Sequence, residues 1–209
     1  MKLTALKRLI PPRYHTQIRR ILGREGIQWC RVVMNGETQK FVNSLDFAKL
    51  DVLEISGEDF RGRWPFHSYR CIRYPEYDVC SGPLQTAAFD LVIAEQVFEH
   101  ILYPDHGAKS VFEMLRPGGW FIIDTPFLVK LHPYPLDLHR WTEDGMRILL
   151  ERAGFRDVRT GSWGNRRCFK TDMKPGLEWA HYKPWIHTLK NEPQFPIVIW
   201  AFARKPLES

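Results

Sequence analysis

Apolar positions change their period along the chain, and the change divides it. Leu3, Leu6, Leu9 and Ile10, then Tyr14, Ile18, Ile21 and Leu22, recur at helical spacing on either side of Pro11-Pro12. That spacing predicts two short amphipathic helices. From residue 45 to about 160, short apolar runs alternate with helical patterns, as in a mostly parallel α/β sheet. Residues 50–55, 67–72, 89–94 and 120–124 read as strands, with 155–161 and 195–203 as two late ones. QVFEHILYP and AKSVFEMLRPGG read as helical; in the latter Val111, Met114 and Leu115 share a face, and Pro117-Gly118-Gly119 turn the chain. Thr142 caps a further helix with Met146, Leu149, Leu150 and Ala153 on its apolar face, and Gly154 closes it.

No repeat, low-complexity tract or linker interrupts this pattern. It divides into an N-terminal helical arm, 1–44, and one domain, 45–209, in which 163–194 is an insertion between the late strands. Such an insertion suits an acceptor cover or a homodimer contact. Composition is that of a globular protein, 44% hydrophobic and 26% charged. Net charge is +6, yet the seven basic residues of 1–24 stand with no acid, so the rest of the chain sums to −1. The basic character belongs to the arm, and a nucleic-acid partner is not indicated for the domain. No apolar stretch reaches the length of a transmembrane segment, and Lys7 and Arg8 break the apolar start that a signal peptide would need. Cys30, Cys71, Cys80 and Cys168 form no CxxC pair, so reduced thiols in a cytoplasmic protein are expected.

In open α/β sheets ligands settle beyond the carboxyl ends of the strands. Here that edge falls after Ile55, after Ala94, after Asp124 and around Asp78, and polar residues stand at all four places. The first is unusual: VLEISGEDF turns out of a strand with Ser56, Glu58 and Phe60 where a nucleotide loop would carry spaced glycines.

FDLVIAEQVFEHI (89–101), LRPGGWFIIDTP (115–126) and GMRILLERAGF (145–155) together resemble the class I S-adenosylmethionine-dependent methyltransferases. The resemblance implies a Rossmann-like fold and S-adenosylmethionine as cofactor. It places Glu54, Ser56 and Gly57 under the methionine part, Asp78 and Val79 at the adenine, and Glu95 and Gln96 at the pocket mouth. The chain departs from the pattern in two ways. The stretch from Glu54 to Asp78 is too short for the usual elements, so the second helix and the outer edge strand are expected to be missing or reduced. Arg73 stands where an acid would hold the ribose, leaving Glu58 or Asp59 to take that duty.

TPFLVKLHPYPLDLHRWT (125–142) combines three prolines with His132, Asp137, His139 and Arg140. It resembles a segment of small methyltransferases of glycan and secondary-metabolite pathways, and the whole chain loosely resembles the mycobacterial methyltransferases acting on methylmannose polysaccharides. A neutral hydroxyl must lose its proton as it attacks a methyl group, so a base must lie within reach. His132 or His139 is the candidate base, with Asp137 orienting the imidazole and Glu95 an outside candidate. Thr125 and Arg140 would hold substrate, although Asp137 and Arg140 can equally pair with one another. His100 reads as pocket wall. Asp124, Asp137, Glu95 and the histidines could hold Mg2+. Trp163, with Trp179, Tyr182 and Trp185, offers a wall for a small-molecule or oligosaccharide acceptor. The favoured function is O-methylation of a sugar or small polar glycan. The alternatives are an RNA-modifying enzyme anchored by the arm and a non-catalytic binding protein that has lost the cofactor loop.

Overall fold

The structure, a computed structural model, describes residues 26–133, 135–177 and 179–207. The two helical patterns of residues 3–22 lie outside them.

Six strands form one sheet: β1 (Asp51–Ile55), β2 (Ser68–Ile72), β3 (Phe89–Glu95), β4 (Leu115–Pro126), β5 (Arg156–Trp163) and β6 (Val198–Arg204), in the order β2-β1-β3-β4-β6-β5. The first four run parallel, while β6 lies antiparallel between β4 and β5. Both faces of β1 and β3 are covered, which is why their sequences are nearly continuous apolar runs. Alternate residues feed two cores. Leu53, Ile55, Val92, Ala94, Phe121 and Ile123 pack with helices α2 (Pro104–Met114) and α3 (Glu143–Ala153). Val52, Leu91, Ile93 and Ile122 pack on the other face with helix α1 (Trp29–Asn43). Helix α1 buries Trp29, Met34, Phe41 and Val42, so it forms part of the domain's core although it precedes residue 45.

Local chemistry sets the helix ends. The Thr142 hydroxyl accepts the Gly145 amide at the start of α3, and Gly154 closes it in a left-handed conformation, φ 111°. Pro104 occupies the first turn of α2. QVFEHILYP is therefore not a helix: it holds one 3-10 turn, Phe98–His100, because the residue ahead of a proline resists the helical conformation. Strand β4 starts at Leu115, earlier than expected, and absorbs the Pro-Gly-Gly turn as an irregularity in its pairing with β3.

The expected loss at the sheet edge is present. Strand β2 is the outer strand, and only the 3-10 turn Val79–Ser81 separates it from β3. The first crossover helix is missing too. In its place, residues 56–67 stack aromatic rings: Phe60 on Trp64 with centroids 5.9 Å apart, and Trp64 beside Phe66 at 5.8 Å. The Trp64 indole N–H donates to Asn43 Oδ1 at 2.7 Å, tying this pile to the end of α1. Side-chain burial by rings substitutes for a helix that the chain has no length to build.

Candidate functional site

A cavity of about 410 Å³ opens at the carboxyl ends of β1 and β3. Ser56, Asp78, Val79, Gln96 and His100 stand in its wall, with Tyr74, Tyr77 and Tyr103 contributing aromatic surface and Pro135 and Leu136 covering it. A second depression of about 390 Å³ between α2 and α3 lies away from this edge. Ser56 and Gln96 both hold left-handed backbone, φ 65° and 54°, an uncommon state for residues with a Cβ. Their amides close the two turns, Ser56 N–H on Ile72 O at 2.8 Å and Gln96 N–H on Asp124 O at 3.1 Å. Sharp turns at these two strand ends bring main chain to the cavity without the expected glycines.

Glu54, by contrast, faces away from the cavity. Fully buried, its carboxylate accepts the amides of Asp59 at 3.0 Å and Phe60 at 3.1 Å and the Tyr69 hydroxyl. Gly57 is packed against that carboxylate so closely that an added Cβ would collide with it. Glu54 and Gly57 thus build the loop from behind, and the cofactor placement inferred for Glu54 gives way to a bracing role. Phe60 lies in the core, and Arg73 reaches out to Glu58 at 3.5 Å, so neither side chain fills the cavity. Glu58 also pairs with Arg61, and Asp59 pairs with Arg31. Asp78 accepts the Cys80 amide through Oδ1 at 2.9 Å.

The proline-rich segment after β4 folds back over the turn Phe98–His100. Leu138 and His139 amides donate to Glu99 O at 2.8 and 3.2 Å, and the His100 Nδ1–H donates to Leu136 O. Asp137 forms a fork with the Arg140 guanidinium and accepts the His132 amide at 2.9 Å. The guanidinium, against some loss from burial, holds the Asp137 carboxyl down to about 2. Of the two roles open to Asp137, the pairing with Arg140 is therefore made, and Asp137 reaches His132 chiefly through its main chain. The His132 Nδ1 lies 3.4 Å from Asp137 Oδ2, and the opposite edge of the ring faces Glu99. Its Nε2 lies 3.8 Å from Glu99 Oε1, and Glu99 raises the pKa of the imidazole above its ordinary value. Glu99 is fully buried, and neither carboxylate oxygen has a hydrogen-bond partner. His139 turns its ring to Trp141, centroids 5.2 Å apart, with Nε2 buried and unpartnered.

Glu95 and Asp124 are neighbours in register on β3 and β4, and the Arg31 guanidinium of α1 pairs with Glu95. Burial first, then the Glu95 charge, pushes Asp124 well above the carboxylate range, while Gln96 Nε2 donates to its Oδ1 at 2.8 Å. Glu95 is committed to Arg31 and Asp137 to Arg140, while Asp124 is held by Gln96; among the described residues these three acids and the histidines are not gathered into one cluster. Thr125 is buried with its hydroxyl unpartnered. Trp163 is a core residue, tilted on Trp29 at 6.2 Å with its N–H on Leu189 O, and gives no acceptor wall. The tryptophan that meets the site is Trp179, edge-on to His132 at 5.4 Å. Sequence reasoning missed Glu99 and Arg31. Glu99 was hidden because its segment reads as a helix, where an acid beside a histidine looks solvated.

Residues 40–123 match the family described as "Methyltransferase domain". A probable S-adenosylmethionine-dependent methyltransferase of Mycolicibacterium smegmatis is 33% identical over 94 residues, which cover 40% of this chain and 37% of that protein. The matched region thus spans well under half the length of this curated relative. Among solved structures, an S-adenosylmethionine-dependent methyltransferase from Mesorhizobium loti is similar with a TM-score of 0.51 at 15% identity, covering 80% of this chain and 96% of that one. One from Archaeoglobus fulgidus has a TM-score of 0.51 at 12% identity, covering 92% of this chain and all of the other. Likeness at these identities shows a shared fold. Among the described residues no helix is long and apolar enough to cross a membrane.

Proposed function

We propose that this chain, which belongs to the class I S-adenosylmethionine-dependent methyltransferases by its fold and its methyltransferase domain, is an O-methyltransferase acting on a hydroxyl of a sugar or small polar glycan. S-adenosylmethionine, the cofactor of that family, supplies when bound an electrophilic methyl group on a sulfonium. The observation that carries the reading is the cavity at the carboxyl edge, with Glu99 and His132 next to His100 of its wall. Its size and lining fit an adenosyl group: Tyr77, Val79 and Tyr103 offer flat and apolar surface to a base, while Ser56, Asp78 and Gln96 offer polar atoms to a ribose or an amino acid.

The chain's residues divide the remaining work. Pro135 and Leu136, pinned through His100 and Glu99, exclude water from one side of the cavity. The His132 Nδ1 must carry a proton to donate to Lys130 O at 3.2 Å, which leaves Nε2 as a lone pair able to take the acceptor's proton. Glu99 then stabilises the charged imidazole. Arg140 and Asp137 hold the loop that presents His132, and Trp179 gives an aromatic face beside it.

Titration with S-adenosylmethionine tests the premise. At a hundredfold excess over its dissociation constant the cofactor should stabilise the fold by about 2.7 kcal/mol. A screen of polyhydroxylated acceptors with methyl-labelled cofactor then tests the acceptor class. Failure of the chain to bind the cofactor or its demethylated product overturns the reading.

A further inference from the structure

We propose that Glu99, His100 and His132 form a binding site for a divalent first-row transition cation of the zinc class. One donor atom from each lies within 4.8 Å of the others. Glu99 Oε1 stands 3.6 Å from His100 Nε2 and 3.8 Å from His132 Nε2. Tetrahedral bonds of about 2.1 Å put neighbouring ligand atoms about 3.4 Å apart, close to both separations from Glu99, and the two ring nitrogens lie within 4.8 Å of each other.

Two independent features point to a ligand. The first is Glu99 itself, a carboxylate with no solvent exposure and no hydrogen bond to either oxygen. Burial of such a group is costly unless a positive charge answers it. The second is the orientation of both rings. His100 Nδ1–H donates to Leu136 O and His132 Nδ1–H to Lys130 O, so both Nε2 lone pairs turn toward Glu99. Backbone carbonyls behind ligating histidines hold the tautomer and the ring plane in just this way. Two imidazoles and one carboxylate suit zinc, cobalt or nickel in preference to magnesium.

Three protein ligands leave a fourth position open. The site adjoins the cavity through His100. Its role there rests on the hydroxyl-transfer reading: in the cation-loaded form an acceptor oxygen in the open position would become acidic enough to lose its proton to water, whereas His132 acts as the base in the cation-free form.

Full-length protein stripped with chelator and dialysed is titrated with Zn2+ by calorimetry and with Co2+ by visible absorption. One cation per chain and the cobalt d–d band of a low-coordinate nitrogen site are expected. His132→Ala and His100→Ala should each abolish the band and weaken zinc by more than about 100-fold, beyond the loss that removing an outer partner causes. Glu99→Gln, near-isosteric, should weaken it likewise, while exposed His106→Ala leaves it unchanged. Absence of a stoichiometric cation in the wild type, or a band that survives both histidine variants, overturns the site. S-adenosylmethionine binding is measured separately on wild type in chelator, so loss of one reading leaves the other standing.

Discussion

The Glu54 carboxylate accepts the backbone N–H of Asp59 at 3.0 Å and of Phe60 at 3.1 Å, so a strand residue holds the loop that follows its own strand. Glu54→Ala removes the acceptor for two amides and the Tyr69 hydroxyl at once. Chemical denaturation should show a loss of about 2–4 kcal/mol, the range for stranding buried donors. Gly57→Ala should damage the same arrangement from the other side, since its methyl would strike the Glu54 carboxylate. Cofactor affinity falls in both variants if the loop they hold is the cofactor loop.

In cation-free protein His132→Ala should lower turnover by about 10²–10⁴-fold, the usual contribution of a positioned proton acceptor, while leaving the dissociation constant of S-adenosylmethionine within about twofold. Single-turnover kinetics and calorimetry on the same preparation separate the two. Equal loss of cofactor affinity would assign His132 to the cofactor pocket.

Burial and the neighbouring Glu95 charge favour the protonated form of Asp124, while Glu95 meets Arg31. Asp124→Asn should therefore change stability by less than about 0.5 kcal/mol near neutrality. In Glu95→Gln, Asp124 can ionise and replace the lost partner. The double variant leaves Arg31 with only the half-exposed Asp59 and should cost about 3 kcal/mol or more, a clear departure from additivity in a denaturation cycle.

Asp51 gives the pH dependence. Hydrogen bonds from the Ser68 hydroxyl, His67 and Arg116 hold its carboxyl below the ordinary value. A depressed carboxyl contributes stability above the unfolded-state value and loses it as pH falls through the folded one. Asp51→Asn should melt earlier than wild type at neutral pH, and the gap should close below the carboxylate range. A gap that persists in acid would show that charge at residue 51 is irrelevant.

The strands, the cap at Thr142 and the stop at Gly154 were legible because they depend on period and on single residues with strong local preferences. The shortened edge was legible from chain length alone. What escaped depends on direction. Glu54 and Glu95 sit at the expected strand ends, yet both side chains turn to the face covered by α1 and the aromatic loop, and spacing along one chain does not reveal which face each acid finds occupied. Trp163 failed as an acceptor wall for a related reason: aromatic density cannot distinguish a core ring from a platform. Helix α1 was missed because its apolar residues cluster at 29–34 and 41–42 without a helical period, and its burial comes from Trp29, Phe41 and the partners they find across 140 or more positions, such as His187 and Phe202. Glu99 was the largest omission, since its burial is produced by residues 136–139 folding back over it.

Strand β6 follows the other described strands in chain order yet lies inside the sheet, with β4 on one side and β5 on the other. Until the ribosome releases it, β5 has no hydrogen-bonding neighbour and the edge of β4 lies bare. A nascent chain halted before Val198 therefore exposes two unpaired strand edges, a natural substrate for chaperones. Closure of the sheet therefore waits on β6, the strand that joins β5 to its other members.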